Sequence, residues 1–388
     1  AMRQVWAKYP NDPDAGTLFA DAMMNLRPWN LFYPDGQPAP GTTEIMATLE
    51  KVMAMVPDHP GANHFYIHTV EASPFPQLAL PSADRLRNRI PGAGHLVHMP
   101  AHIDIRLGHY DDAIQANLNG VSVDSMWADQ PGVYMIYRAH NYHFLAYAAM
   151  FEGREELAMK AARGMMEAIP DEVTRMFPDF IEAMLGAPYH VLVRFGKWDE
   201  MLNEPPPPPD MQARTAFWRY GRTVALASLG RVPEAEAEFA KLKEACAAVP
   251  ESRLLGNNSA RTALDIGLPL AEGELEYRKG NYDHAFELIR LAVQRDDSLH
   301  YDEPWGWMMP VRHALGALLL EQGRLPEAEV VYREDLRQHP ANGWALKGLA
   351  EALHRENREP EARQVDAQFA QAWSRSDTKI EASCFCRR

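Results

Sequence analysis

Cysteine is scarce in this chain: Cys246, Cys384 and Cys386 are the only three in 388 residues. Three thiols make no disulfide framework, so the fold has to be held by burial of apolar surface. The Cys384-x-Cys386 pair beside Arg387 and Arg388 reads as a frayed end, with a soft-metal handle or redox pair as the alternative. Positive charge is also short, 39 Lys and Arg against 53 Asp and Glu, for a formal charge of -14. With no basic stripe to offset it, nucleic acid and anionic membrane are poor partners. No apolar run approaches the roughly 18 residues that a membrane span needs, so no membrane insertion is expected. Gly-rich phosphate loops, a Gly-x-Ser-x-Gly elbow and His-Glu-x-x-His are all missing. The start, Ala1-Met2-Arg3, has no signal-peptide pattern and reads as a chain entered in mid-fold. The compartment stays open.

What is present is apolar residue, 46% hydrophobic and 10% aromatic, enough for a continuous core. The strongest pattern is a recurring break, a glycine followed by an acidic-Ala pair or its equivalent. It occurs at Gly108, Gly153, Gly196, Gly230, Gly280 and Gly323, with Asn357 as a final variant, at intervals of 34 to 50 residues. Apolar residues at helical spacing flank each break. Glycine closes one helix in the left-handed conformation, and Pro or an acidic residue opens the next. Each unit is therefore a helix, a tight turn and a second helix. Pro205 to Pro209 form a stiff connector. The expected layout is a helical half over 1–204, the connector at 205–209, further repeats over 210–374 and a tail at 375–388.

These residues resemble the tetratricopeptide repeat family, whose unit is 34 residues. The best match runs from Leu315-Gly316-Ala317 through Gly323, Ala328 and Tyr332 to Pro340. The resemblance implies an all-α, tetratricopeptide-like α-solenoid, a right-handed superhelix of about seven or eight helix pairs. The segment from Pro57 to Asn117 also resembles a bacterial family of uncharacterised tetratricopeptide proteins. Its marks are Gly61-Ala62-Asn63-His64-Phe65-Tyr66-Ile67-His68 and Pro91-Gly92-Ala93-Gly94-His95-Leu96-Val97-His98-Met99-Pro100. Members usually carry a further N-terminal helical region, which would add to the site. No reaction is attached to that family.

Ten of the fifteen histidines lie between His59 and His190. Counted back from the turn glycines, His95, His98 and His102 stand thirteen, ten and six residues before Gly108. His140 and His143 stand thirteen and ten before Gly153. Aligning Ala79 with Ala113 puts the preceding turn at Pro74, so His64 and His68 fall ten and six before it. Seven histidines on three successive first helices thus share three equivalent positions. Steps of three and four residues set them on one helix face. First helices stacked about 8 to 10 Å apart would let facing imidazoles share an ion. The family resemblance implies that these positions line the concave ligand groove.

The expected metal ligands are accordingly His64, His68, His95, His98, His102, His140 and His143, for one or two transition-metal ions. A nitrogen-rich set favours copper, with iron or zinc possible. Glu71, Glu303 and Tyr142 are candidate catalytic residues, and Trp305, Trp307, His190 and His313 candidate substrate contacts. The bland readings are a packed inter-repeat loop around Trp305, and ordinary surface or turn roles for His59, His109, His284, His339 and His354. The leading expectation is a metal-dependent oxidative enzyme acting on a small molecule or peptide in the groove, with a hydrolase second. The alternative is a non-catalytic scaffold that binds peptide or protein.

Overall fold

The computed structural model describes residues 1–33, 35–127 and 134–387. Among the described residues it is helical apart from one short hairpin and an isolated bridge between Phe32 and Pro38. The chain forms two compact units, residues 1–144 with 300–303, and residues 145–299 with 304–388. The first contains α1 (Met2–Lys8), α2 (Pro13–Met24), α3 (Thr42–Met55), α4 (Pro60–Val70), α5 (Leu80–Leu86), α6 (Gly94–His98), α7 (Pro100–Leu107) and α8 (Tyr110–Ser125). The division falls within α9 (Tyr134–Glu152). The second unit continues with α10 (Glu155–Ala168), α11 (Asp171–Met176), α12 (Pro178–Ile181), α13 (Ala187–Arg194), α14 (Trp198–Asn203), α15 (Gln212–Ser228) and α16 (Val232–Ala248). After β1 (Leu254–Leu255) and β2 (Asn258–Ser259) come α17 (Ala260–Arg278), α18 (Tyr282–Asp297), α19 (Val311–Glu321), α20 (Leu325–Gln338), α21 (Gly343–Arg355) and α22 (Glu359–Ala372).

The break residues set this order. Gly108, Gly153, Gly196, Gly230, Gly280 and Gly323 all have φ between 65° and 85°, and Asn357 takes φ 60°. Left-handed backbone ends each first helix and turns the chain back on itself. Each hairpin then packs on its neighbours: α2 on α3 and α4, α4 on α5 and α7, α15 on α16 and α17, α19 on α20 and α21. This is the stack of helix-turn-helix pairs that the break pattern implied. The longest interval, Gly230 to Gly280, holds the β1–β2 hairpin. The Gly280 to Gly323 interval holds a loop whose residues 300–303 belong to the first unit.

In the first unit the core runs through Ile45, Leu49, Val52, Ile67, Val70, Leu86, Met99 and Ile103, all essentially inaccessible. The second unit closes on itself, since the buried Trp344 donates its indole N–H to Met150 O at 2.9 Å. The proline run is not a boundary between compact units. Helices on either side of it pack together: Trp218 Nε1 donates to Glu204 O at 3.1 Å and Arg222 Nη1 to Leu202 O at 2.7 Å. The described residues of the tail are not frayed either. Ser376 Oγ donates to Gly153 O, Ser383 is buried with its Oγ donating to His313 O, and Cys384 and Cys386 are joined as a disulfide.

Two turn glycines separate backbone strain from crowding. A Cβ at Gly323 would meet nothing nearer than Arg355 Nη2 at 3.9 Å, whereas one at Gly153 would lie 2.3 Å from the Trp373 ring. Gly323→Ala should cost about 1 kcal/mol, for the left-handed backbone alone. Gly153→Ala should cost about 1–3 kcal/mol more from overpacking. Urea or thermal unfolding midpoints of the second unit check the order, and equal losses would contradict it.

Candidate metal centre

Two helices and a near-continuous third bring the histidines together. His59 starts α4: its Nδ1 accepts the Ala62 N–H at 3.1 Å, and Pro60 stands at the first helical position, where its missing N–H costs nothing. His64 and His68, four residues apart, then share one face, and Glu71 caps the end of the helix. The short α6 and α7 follow each other through Met99, which carries His95, His98 and His102 along one side. On α9, Tyr137, His140 and Phe144 recur at steps of three and four. Phe144 packs on His98, His102 and His140, with ring centroids 4.6 to 5.0 Å apart. Tyr301 and Glu303 arrive from the 300–303 loop.

The imidazoles form two triads, His64/His68/His95 and His98/His102/His140, in each of which one ligand atom per residue lies within 4.8 Å of the others. In the first, His64 Nε2 and His95 Nε2 are 3.1 Å apart. In the second, His98 Nε2 and His102 Nε2 are 2.7 Å apart. Glu71 stands between the triads. Its Oε1 is 2.8 Å from His68 Nδ1 and its Oε2 is 2.6 Å from His102 Nδ1. The Tyr301 hydroxyl donates to the same Oε2 at 3.1 Å. Glu303 lies farther out, 3.6 Å from His68 Nδ1 and 3.8 Å from His102 Nδ1, and accepts the Trp29 indole N–H at 3.1 Å.

These contacts assign tautomers. A carboxylate only accepts, so a neutral His102 carries its proton on Nδ1 and leaves Nε2 as a lone pair. His98 Nδ1 meets Asn117 Oδ1 at 2.7 Å, and the Asn117 amide nitrogen donates to Ala113 O. The oxygen therefore faces His98, which is likewise left with a lone pair on Nε2. Two lone pairs then face each other across 2.7 Å, an arrangement that a bound cation would relieve. A proton is a poor one. Burial, then the neighbouring His102, His140 and His95, hold His98 well below the ordinary imidazole range. Burial likewise pushes His102 and His95 down to about 3 and lowers His64 and His140 well below 6.5. His68 goes the other way: burial opposes its charge, but Glu71 and Glu303 outweigh burial and carry it to about 10. The carboxylates thus hold one imidazolium, at His68, while burial above all, with the His68 charge added, keeps His102 neutral although it touches the same Glu71. His95 Nδ1 is buried without a hydrogen-bond partner.

Of the residues anticipated from sequence, six histidines, Glu71 and Glu303 meet here. His143 does not join a triad. It is buried three residues beyond His140 on the flank of α9, and burial lowers it to about 4. Two positions from His140, Tyr142 falls on a different face of α9. The expected substrate contacts, His190 in the first half and Trp305, Trp307 and His313 in the second, need correction. Trp307 is fully buried against Tyr220 and His190, with ring centroids at 5.0 and 4.8 Å, so it and His190 are core. Trp305 Nε1 donates to Asp296 Oδ1 at 2.9 Å. His313 is buried on Asp335 and Asn342. All four lie in the second unit. Residues that sequence reading missed are Tyr301, Asn117 and Trp29. Trp29 is half exposed at φ 56°, a conformation that a bulky residue adopts only under constraint. Nothing in the sequence around it signals that role. Tyr301 was legible only through its neighbour Glu303.

No family model matches the sequence, and no curated protein matches it. Several solved structures are similar to the chain over most of its length, at low identity. The Cut9–Hcn1 hetero-tetramer of the APC/C is similar at TM-score 0.42 and 9% identity, covering 97% of this chain and 76% of its own. A human IFIT1 dimer with m7Gppp-AAAA gives 0.38 and 12%, covering 93% and 72%. Yeast Tom70 gives 0.37 and 12%, covering 93% and 85%. At such scores the likeness adds nothing to what the hairpins show by themselves.

The neutral histidines have a pH consequence. Their folded values, about 3 for His95 and His102 and about 4 for His143, lie below the unfolded value of about 6.5. Between those limits the unfolded chain binds more protons, so stability rises with pH and is lost as pH falls. Metal-free protein should lose thermal stability steadily below about pH 6.5. His143→Phe should blunt that loss without touching either triad. A melting temperature that holds level from pH 7 to 4 would contradict the assignment.

Proposed function

We propose that this chain is a transition-metal protein whose two histidine triads each take one ion, and that it carries out metal-dependent oxidative chemistry. The opposed Nε2 lone pairs of His98 and His102 carry the reading: both rings are committed to accept there, and burial denies them a proton. Three imidazoles per ion, of which His68, His98 and His102 have the other nitrogen held by Glu71 or Asn117, are a donor set that copper, iron or zinc accepts, with copper first on nitrogen content. Such ions supply oxygen or water activation when bound.

The chain's own groups then have distinct tasks. Glu71 holds one ring of each triad. His68 gives up its Nε2 proton on loading, since the proton and the ion use the same lone pair. Glu303, held by Trp29 and close to both rings without bonding them, is placed to accept a proton from a ligand. The Tyr301 phenol, which burial above all holds well above its usual range, stays protonated and is placed to donate through Glu71. Trp29 and Tyr137 are exposed rings in contact with Glu303 and His95, and they mark the side from which an organic ligand would approach. The proposed ligand is an organic small molecule or a peptide.

The second reading, a non-catalytic peptide- or protein-binding scaffold, is supported by the second unit. There the hairpins hold no group of three metal-capable side chains among the described residues.

Elemental analysis of protein purified without a histidine tag separates the two. The metal reading expects stoichiometric metal, a marked loss in His98→Ala and none in His109→Ala, whose ring is half exposed in the turn. Protein that takes up no metal would leave the scaffold reading standing, and equal loss in both variants would show that the triads are not the ligands.

A further inference from the structure

We infer that Glu71 is the positioning residue that makes both triads competent at once, one carboxylate oxygen for each. The inference rests on the metal reading and adds how the two ions depend on each other. A metal-bound histidine commonly donates its remaining N–H to a carboxylate, which fixes the tautomer and orients the ring. Here one carboxylate does this twice. Its Oε1 faces His68 Nδ1 at 2.8 Å in the first triad, and its Oε2 faces His102 Nδ1 at 2.6 Å in the second. The side chain is about 1% exposed, so water does not take its place at either ring. Glu303 is no substitute, since at 3.6 and 3.8 Å it is beyond hydrogen-bond length from the same two nitrogens. The other rings are held differently, His98 through Asn117.

The arrangement is sensitive to one atom. Glu71→Gln keeps size and shape but replaces one acceptor oxygen by an NH2 donor. Oε2 receives two donors, His102 Nδ1 and the Tyr301 hydroxyl, whereas Oε1 receives one. The amide oxygen therefore stays on the His102 side and the NH2 turns to His68. That NH2 donates to His68 Nδ1 and drives the ring proton onto Nε2, the atom that has to bind. The His98/His102/His140 triad keeps its tautomers, while His64/His68/His95 loses one of its three ligands.

The test is a titration of the full chain with Zn2+ against a chromophoric chelator, repeated with Co2+ by its visible absorption. Wild type should take two ions. Glu71→Gln should keep one at near wild-type affinity and bind the second about 10- to 100-fold more weakly. Glu303→Gln removes a similar charge and should still take two. If Glu71→Gln does not fold, Glu71→Asp, one methylene shorter and unable to span both rings, should show the same single loss. Two ions at unchanged affinity in Glu71→Gln would overturn the inference. So would equal loss in Glu303→Gln, which would make the effect one of charge and not of tautomer. Wild type that takes no ion would sink the metal reading itself, a result distinct from either.

Discussion

Six imidazole rings packed into one water-poor space cannot all be charged, and the rest of the site follows from that constraint. Desolvation holds five of them neutral, and the nearby carboxylates support a single imidazolium, at His68. Neutral rings keep a lone pair, and the outer contacts of Glu71 and Asn117 decide which nitrogen bears it. A cluster of like dipoles pointing inward is a poor way to fill a core unless something cationic satisfies it. Apolar side chains at the same positions would pack with less conflict.

The hairpin scaffold makes such a cluster possible. Repeat units place equivalent residues at equivalent heights, so a histidine at one register position acquires neighbours from the adjacent first helix. Here α4 packs on α7. The ring centroids of His64 and His95, and of His68 and His102, are accordingly 5.0 and 5.1 Å apart. What repetition does not supply is negative charge. Glu71 comes from a helix end, and Glu303 and Tyr301 come from a loop more than two hundred residues later in sequence that belongs to the same compact unit. The long interval between Gly280 and Gly323 therefore accommodates part of the site, whereas the longer one before it holds only a β-hairpin.

The aromatic residues show where sequence reasoning fails. Trp305 and Trp307 stood beside Glu303 in sequence and read as a wall for the same ligand. In the structure Glu303 is counted with one unit and Pro304 with the other, and Trp307 is buried core. Adjacency in a loop says little about which side of a chain reversal a residue ends on. His143 fails for a related reason. Its offset matches His98, but α9 presents Tyr137, His140 and Phe144 to the cluster, and a ring three residues beyond His140 falls on the flank. Repeat equivalence fixes height along a helix better than rotation about its axis. Asn117 and Trp29 left no trace in the pattern, because each acts through a single hydrogen bond to a partner distant in sequence.

Local rules thus determined the hairpins by themselves. Left-handed residues at fixed breaks, apolar spacing between them and histidines in step with the breaks are short-range properties, and the backbone obeys them with little help from elsewhere. Tertiary structure alone decided which histidines meet as two triads, which carboxylate they share and which nitrogen each presents. Those outcomes depend on helix rotation, on burial and on one loop's return to a distant helix end. They are set by the total packing energy and by desolvation, quantities that no stretch of sequence contains on its own.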